Sequence, residues 1–160
     1  MSQGTMLERL RQIRFLADVE EEHLKQIAAA AEFVQFPSGK VIFREGQQLA
    51  DIYLILSGSV SLEICAPGIG CKRIMTISEG DLLGISPVLE QSHSTATART
   101  TLPTEVIQVN ASQILTMCEH DPRFGYEFMR HAAQAITQRL NATRLQLVDV
   151  YGEQLPTVKE

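Results

Sequence analysis

The sequence predicts a mainly β protein with flanking helices, a double-stranded β-helix or jelly roll that carries a long C-terminal helix. Over residues 34–109, short segments rich in β-branched and aromatic residues alternate with turn-forming residues. The flanks, 5–33 and 110–152, show helical periodicity instead. Regularly spaced short strands are typical of closed or two-sheet β architectures. We expect residues 1–160 to form one domain, because this is the length of an ordinary single domain.

The N-terminal flank is predicted to contain two helices. Apolar residues recur at near-helical spacing in the first, at Leu7, Leu10, Ile13 and Phe15. Asp18 followed by Glu21 resembles a capping box that opens the second helix. One face of this second helix carries Leu24, Ile27, Ala28 and Ala31.

The central region is predicted to form six short strands. Each is bounded by turn formers such as Pro37-Ser38-Gly39, Ser57-Gly58 and Pro67-Gly68. Several of the segments alternate apolar and polar residues, which indicates strands with one buried face. The predicted strands are 41–43, 52–56, 60–64, 73–77, 95–98 and 105–109.

The C-terminal flank is predicted to form a long helix that begins after Asp121-Pro122, a capping residue followed by proline. Asn110 with Gln113 resembles a second capping box just before it. Apolar residues then follow spacings of four and three, which is the seam of a coiled coil. The seam residues are Met129, Ala133, Ile136, Leu140, Thr143, Leu147 and Val150. We expect a homodimer through this helix; the alternative is that the seam packs on the protein's own strands.

Composition excludes several classes of protein. The net charge is -5 and the pI about 5.4, whereas a nucleic-acid domain usually carries a basic excess. No apolar run reaches the length of a membrane span, and residues 1–14 lack the apolar core of a secretory signal. We therefore expect a cytoplasmic protein that binds neither membrane nor DNA directly.

Three segments carry a resemblance to a known family. They are GKVIFREG at 39–46, DIYLILSGSV at 51–60 and EGDLLG at 79–84. These segments resemble the cyclic nucleotide-binding domain, found in catabolite-activator and FNR-type regulators, kinase regulatory subunits and gated channels. The similarity extends over residues 10–150, and it implies a β-roll followed by a dimer helix.

In that family the ligand lies in a phosphate-binding cassette, whose Glu accepts the ribose hydroxyl and whose Arg pairs with the cyclic phosphate. The corresponding stretch here is LGISPVLEQSHSTA at 83–96. Ile85 stands at the position of the Glu and Ser94 at the position of the Arg. The two lost contacts are together worth roughly 3–8 kcal/mol. We therefore expect binding of cAMP or cGMP to be weak or lost.

Other groups in the cassette could still bind an anion. Gly84, Leu89 and Ala96 match the family pattern, and the backbone N–H groups after Gly84 are available. The candidate ligand-binding residues of the cassette are Gly84, Ile85, Ser86, Ser94 and Thr95. We expect no certain cofactor, and either a cyclic nucleotide or another small anionic ligand. The alternative for Ile85 is that its side chain fills the emptied pocket.

Two residues of the long helix complete the candidate site. In the activator branch of the family, a Thr-Ser pair on the dimer helix meets the purine across the dimer. Thr143 matches the Thr, whereas Arg144 departs from the Ser. The alternative for Thr143 is a tolerated polar residue within the seam. Only eight residues, 153–160, follow this helix, which is too few for a helix-turn-helix domain.

The resemblance and the residues together favour a non-enzymatic regulatory or sensor module. A ligand-free scaffold that dimerises and binds a partner protein is the alternative. An enzyme on a similar roll would need clustered metal ligands, and the histidines at 23, 93, 120 and 131 show no metal spacing. Arg99 is expected to be structural.

The cysteines leave two alternatives. Cys65 and Cys71 flank a predicted hairpin loop, where they could act as a redox switch. Two reduced thiols are the favoured interpretation, because disulfides are rare in cytoplasmic proteins.

Overall fold

The computed structural model describes residues 2–89 and 93–159. Helices form both flanks of the chain: α1 (Gln3–Arg11) and α2 (Glu21–Ala29) with a 3₁₀ turn at Arg14–Leu16 between them, and α3 (Ala111–His120) and α4 (Pro122–Tyr151), followed by a short 3₁₀ turn at Gly152–Gln154. The strands between them are β1 (Ala31–Phe36), β2 (Val41–Phe43), β3 (Asp51–Ser57), β4 (Ser59–Ala66), β5 (Gly70–Ser78), β6 (Leu82–Leu83), β7 (Thr97–Thr100) and β8 (Thr104–Asn110).

The strands form two four-stranded antiparallel sheets. Sheet one has the order β1-β8-β3-β6, and sheet two has the order β2-β7-β4-β5. Apart from the hairpin of β4 and β5, the neighbours in each sheet come from distant parts of the chain, as in a roll. This confirms the predicted mainly β jelly roll with flanking helices.

Two boundaries at the N-terminus differ from the predictions. The helix predicted to reach residue 33 ends at Ala29, and β1 begins at Ala31 because Phe33 pairs with Ile107 of β8. The predicted capping box is also wrong. Helix α2 follows Glu20 without a side-chain cap, and Asp18 instead contacts His131 of α4.

Apolar side chains bury both faces of sheet one. Alternate residues of β3 point to opposite sides, so Leu54 contributes to one core and Ile55 to the other. The roll core lies between the sheets and comprises Phe43, Ile55, Val60, Leu62, Ile77, Leu83, Ala96, Ala98 and Val106. The helical core lies between sheet one and the helices; its largest fully buried members are Leu10, Ile13, Leu16, Ile27, Ile52, Leu54, Leu82, Ile107, Ile114 and Phe128.

The predicted cap of α4 is confirmed, and of the capping box predicted for α3 the structure shows the Asn110 cap. The Asn110 side chain accepts a hydrogen bond from the Ser112 N–H at 3.0 Å and caps α3. Asp121 accepts from the N–H groups of Arg123 and Phe124 at 3.1 and 3.3 Å, and Pro122 opens α4. The Phe124 N–H, followed by the His23 side chain, holds the pKa of Asp121 below its usual range.

Two histidines fasten the N-terminal segment to α4. His23 Nε2 lies 2.8 Å from Asp121 Oδ2, and its ring stacks on Phe124 with centroids 4.8 Å apart. His131 Nδ1 lies 2.8 Å from the Phe15 carbonyl oxygen, and its Nε2 lies 3.2 Å from Asp18. The first third of α4 is therefore fixed to the helices that precede the roll.

Cys65 and Cys71 form a disulfide, so the expectation of two reduced thiols is wrong. The reason is register: the two residues are directly opposite each other on β4 and β5, with Cα atoms 4.0 Å apart. Cys118 has a free thiol, and burial raises its pKa. Among the described residues, no helix combines the length and the apolar character needed to span a membrane.

We predict that Gly58→Ala lowers the free energy of unfolding by about 3 kcal/mol or more, since backbone strain adds to a steric clash. Gly58 has φ +99°, and a Cβ would lie 2.6 Å from the Pro103 carbonyl oxygen and 2.7 Å from the Thr104 Cα. The matched control is Gly39→Ala, at φ +79° with no atom within 4 Å of the added Cβ. Equal losses in urea denaturation of the two variants would contradict the clash at Gly58.

We predict that Asp121→Asn flattens the acid limb of the stability profile. Because the folded pKa of Asp121 is lowered, its contribution is present above the unfolded value of 3.8 and is lost as pH falls through the folded pKa. Asparagine caps helices as well as aspartate does, so the neutral-pH helix should persist. Urea denaturation between about pH 5 and pH 2 measures this. A slope identical to that of the wild type would exclude the effect.

Candidate functional site

The candidate cassette begins where sheet one ends. Strand β6 pairs with β3 through Leu82 opposite Leu54 and Leu83 opposite Tyr53. Gly84 follows with φ +80° and is buried, and a Cβ there would lie 3.3 Å from the Asp51 carbonyl oxygen. Glycine is therefore required for the chain to turn away from the sheet at this point.

Ile85 directs apolar surface to the helices. Its side chain is half-buried and packs against the helical core, where the family's Glu would present a carboxylate to a ligand. Its carbonyl oxygen accepts hydrogen bonds from the N–H groups of Val88 and Leu89 at 3.0 and 3.3 Å. The backbone after Gly84 is thus folded into a turn that uses these two donors internally. Ser86 lies in this turn and is half-buried.

Ser94 bonds to the backbone around it. Its side chain is buried, and its hydroxyl donates to the Ala96 carbonyl at 2.6 Å. Its own N–H donates to the Gln47 carbonyl at 2.8 Å, which fixes it to the loop between β2 and β3. The hydroxyl is therefore engaged within the chain. Its neighbour Thr95 is exposed.

The charge of the cassette differs from that of an anion site built on Arg. The sequence from 83 to 96 contains no Lys or Arg. Glu90, Gln91 and Ser92 of this stretch lie outside the described residues. In the described part of the cassette, the polar groups available to a ligand are hydroxyls, backbone groups and the His93 side chain.

Arg99 lies beyond the cassette on β7 and has a structural partner. Its Nε lies 3.3 Å from Glu63 Oε1, and the same oxygen accepts from the Ser61 hydroxyl at 2.8 Å. Ala98 and Leu62 face the roll core, so the residues that follow them on each strand, Arg99 and Glu63, lie on the outer face of sheet two. Sequence reasoning missed Glu63, although it is the one charged residue of β4 and a buried carboxylate indicates a partner.

The groups that could ligate a metal gather at one place in the described chain. The Glu63 carboxylate and the sulfurs of Cys65 and Cys71 lie within 4.8 Å of one another. Both sulfurs belong to the disulfide, and the carboxylate pairs with Arg99. With the disulfide formed, these groups link neighbouring strands. The disulfide joins β4 to β5, and the ion pair of Glu63 with Arg99 joins β4 to β7.

Thr143 and Arg144 are both exposed on α4. The Thr143 hydroxyl donates to the Arg139 carbonyl one turn earlier at 2.9 Å. No hydrogen bond or ion pair of the described residues joins either side chain to the cassette. Within one chain, the two parts of the predicted site are therefore unconnected.

The predicted seam of α4 divides into two parts. Met129 packs against the helical core at the start of the helix. Later seam residues are exposed, with Ile136 38%, Leu140 56%, Leu147 49% and Val150 68% accessible. The alternative in which the whole seam packs on the protein's own roll is therefore wrong.

Comparison with known proteins agrees with the fold and with the family resemblance of the sequence. The profile of the cyclic nucleotide-binding domain matches residues 33–121. A crystal structure of a cyclic nucleotide-binding protein from Geobacter metallireducens is 33% identical and superposes with a TM-score of 0.73, covering 83% of this chain and 96% of that one. A CRP-like cAMP-activated global transcriptional regulator from Mycobacterium tuberculosis is 23% identical over 139 residues.

Coverage differs greatly between the relatives. The match to the Mycobacterium tuberculosis regulator includes 86% of this chain and 60% of the regulator. A lysophospholipase from Neurospora crassa is 30% identical over 99 residues, which are 62% of this chain and 6% of the lysophospholipase. The region that each of these relatives shares with this chain is therefore about one domain long. The chain belongs to the cyclic nucleotide-binding domain family.

Proposed function

We propose that this protein is a non-enzymatic regulatory module that dimerises through α4 and whose cassette binds cAMP and cGMP weakly or not at all. The observation that carries the proposal is what the side chains at the two anchor positions contact. Ile85 packs into the helical core, and the Ser94 hydroxyl donates to its own backbone. Both positions serve the fold instead of a ligand.

The energetics support weak binding. A charge-assisted hydrogen bond contributes about 1.5–3 kcal/mol, and a buried phosphate–arginine pair loses about 2–5 kcal/mol when one side is removed. At about 1.4 kcal/mol per tenfold, these losses turn micromolar affinity into millimolar affinity or none. Hydroxyls in the cassette supply neither the charge nor the fork of a guanidinium. A different small anionic ligand, held by backbone N–H groups, remains the second ligand class in this proposal.

A second copy of this chain is the proposed occupant of the exposed seam. Ile136, Leu140 and Leu147 continue one heptad line beyond the point where the roll covers the helix. Monomeric proteins rarely expose a long apolar stripe on one helix face. A parallel or antiparallel copy of the same helix would bury it with matching spacing. In such a dimer, Thr143 and Arg144 approach the partner, where they could complete a site.

Signal relay follows from the contacts of α4 with the roll. Arg139 donates to the Leu82 carbonyl on β6, just before Gly84. A change in the turn after β6 therefore alters a contact of the helix that forms the proposed dimer. A ligand or partner protein shifts such a dimer only through different affinities for its two arrangements.

A ligand-free interaction scaffold is the second candidate function. The observation that favours it is the Ile85 side chain, which packs against the helical core and offers no polar group to a ligand. In this case the dimer helix and the roll surface bind a partner protein without a small-molecule signal. Titration with nucleotides separates the two candidates.

We predict that isothermal titration of the wild-type chain with cAMP or cGMP gives no saturable heat below about millimolar ligand, because both charged anchors are absent. The double variant Ile85→Glu with Ser94→Arg restores the family's anchor types and should bind cAMP at least about 100-fold more tightly. Ser86→Glu with Thr95→Arg is the matched control, which places the same charges one residue away. A micromolar dissociation constant for the wild type would overturn the proposed loss of binding.

We predict that Ile136→Glu with Leu140→Glu converts the dimer to a monomer, because two carboxylates would be buried at the centre of the seam. Sedimentation velocity measures the mass of the full chain. Asn141→Glu is the control, since Asn141 is exposed on the same helix but outside the seam. A wild-type chain that sediments as a monomer would contradict the dimer. So would a double variant whose mass matches that of the wild type.

A further inference from the structure

A cavity lies on the side of the roll where α4 passes the turn between β5 and β6. Its volume is about 370 Å³, and its walls come from the 3₁₀ turn, from β5 and from α4. Polar walls are provided by Arg14, Asp18, Asp81, His131, Gln138 and Arg139. None of the lining residues belongs to the cassette at 83–96, so this cavity is separate from the candidate cassette site.

Two charged groups around the cavity have a counter-group beside them. Arg14 pairs with Asp81 at 2.6 Å, and His131 Nε2 lies 3.2 Å from Asp18 Oδ2. Arg139 forms no ion pair among the described residues; its guanidinium donates to the Leu82 carbonyl oxygen. Of the two arginines that line the cavity, Arg139 is therefore the one without a carboxylate partner.

Burial makes this charge costly. Desolvation lowers the pKa of Arg139, and the nearby charge of Asp81 only partly opposes this. A guanidinium carries five N–H donors in a planar fork, and one carbonyl engages few of them. No buried side-chain nitrogen or oxygen of the described residues lacks a hydrogen-bond partner, so the other Arg139 nitrogens are accessible to solvent, and Arg139 lines the cavity. An anion placed there would replace the hydrogen bonds to water that the Arg139 guanidinium loses on burial.

We propose that this cavity binds a small monocarboxylate, whose carboxylate is held by the Arg139 fork. The observations favour a single negative charge, because Arg139 is the one lining arginine without an ion-pair partner among the described residues and the carboxylates of Asp18 and Asp81 repel a second negative charge. Bidentate pairing with a carboxylate is the geometry that guanidinium groups favour. The amides of Gln134 and Gln138 line the same wall and provide donors and acceptors for the rest of the ligand. Phe15, Ala135 and Ile77 provide apolar surface for its body.

The proposed seam and most of the helix wall of this cavity lie on different faces of α4. With Ile136 and Leu140 in the seam, Gln134 and Gln138 fall on the other side of α4, and Arg139 flanks the seam. The site therefore does not depend on nucleotide binding in the cassette, and it extends the proposed function. Because the 3₁₀ turn, β5 and α4 all contribute walls, an occupant would fix the helix relative to the roll.

The test uses the full-length chain, with sodium benzoate as the probe and benzamide as its uncharged counterpart. Benzoate should cause saturable NMR shifts of the Arg139 Nε–H and the Gln134 and Gln138 side-chain amides, and benzamide should not. Arg139→Gln should weaken benzoate binding by about 30-fold or more, as expected for removal of one partner of a charge pair. Arg130→Gln, on the same helix but outside the cavity, should bind benzoate as the wild type does.

A second variant keeps the test informative if Arg139→Gln fails to fold. Ala135→Phe leaves the guanidinium in place and fills the cavity, so benzoate shifts should disappear while the Arg139 signal remains. The absence of saturable shifts in the wild type would overturn the proposal, as would equal binding by Arg139→Gln. Tighter binding of inorganic phosphate than of benzoate would overturn the assignment to a monoanion. Nucleotide titration of the cassette is independent of each of these results.

Discussion

The helical core determines where α4 leaves the roll, and the other features of this protein depend on that point. Sheet one is buried on both faces, with the roll core on one side and the N-terminal helices on the other. Phe128 and Ala132 are the last fully buried residues of α4, and Phe15 meets Phe128 edge to face at 5.3 Å. Beyond Ala132 one side of the helix still contacts the rest of the chain, through Ala135 and Arg139. The side that carries Ile136 and Leu140 is exposed.

The division of α4 into two faces follows from its heptad spacing. Residues at spacings of three and four share one face, and Ile136 and Leu140 are exposed there. Arg139 lies at the edge of this face, and its side chain reaches the carbonyl of Leu82. A single helix thus joins the proposed dimer interface to the strand that leads into the cassette. Movement of α4 at one face would change the contacts at the other.

The sequence predicted the elements whose signals are local. Alternating strands, the Asp121-Pro122 cap and the seam of α4 agree with the structure because they depend on neighbours a few residues apart. Strand β1 was missed because Ala31 continues the apolar spacing of α2, and only pairing with β8 makes it a strand. The disulfide and the Arg99–Glu63 pair were missed for the same reason, since register joins residues across strands. At the candidate site, the sequence predicted the replaced anchors at Ile85 and Ser94, but the hydrogen bonds of Ser94 required the fold.

Because Ile85 packs against the helical core, the position of α4 depends little on whether the cassette holds a ligand. The turn after β6 is held by the helical core and by two internal hydrogen bonds from Val88 and Leu89. A nucleotide in this cassette would therefore have little differential affinity for two positions of the turn, and without such a difference no equilibrium shifts. The cavity at Arg139 lies instead between the roll and the helix, where an occupant contacts both. A small molecule in that cavity would therefore change the position of α4 more effectively than a small molecule in the cassette.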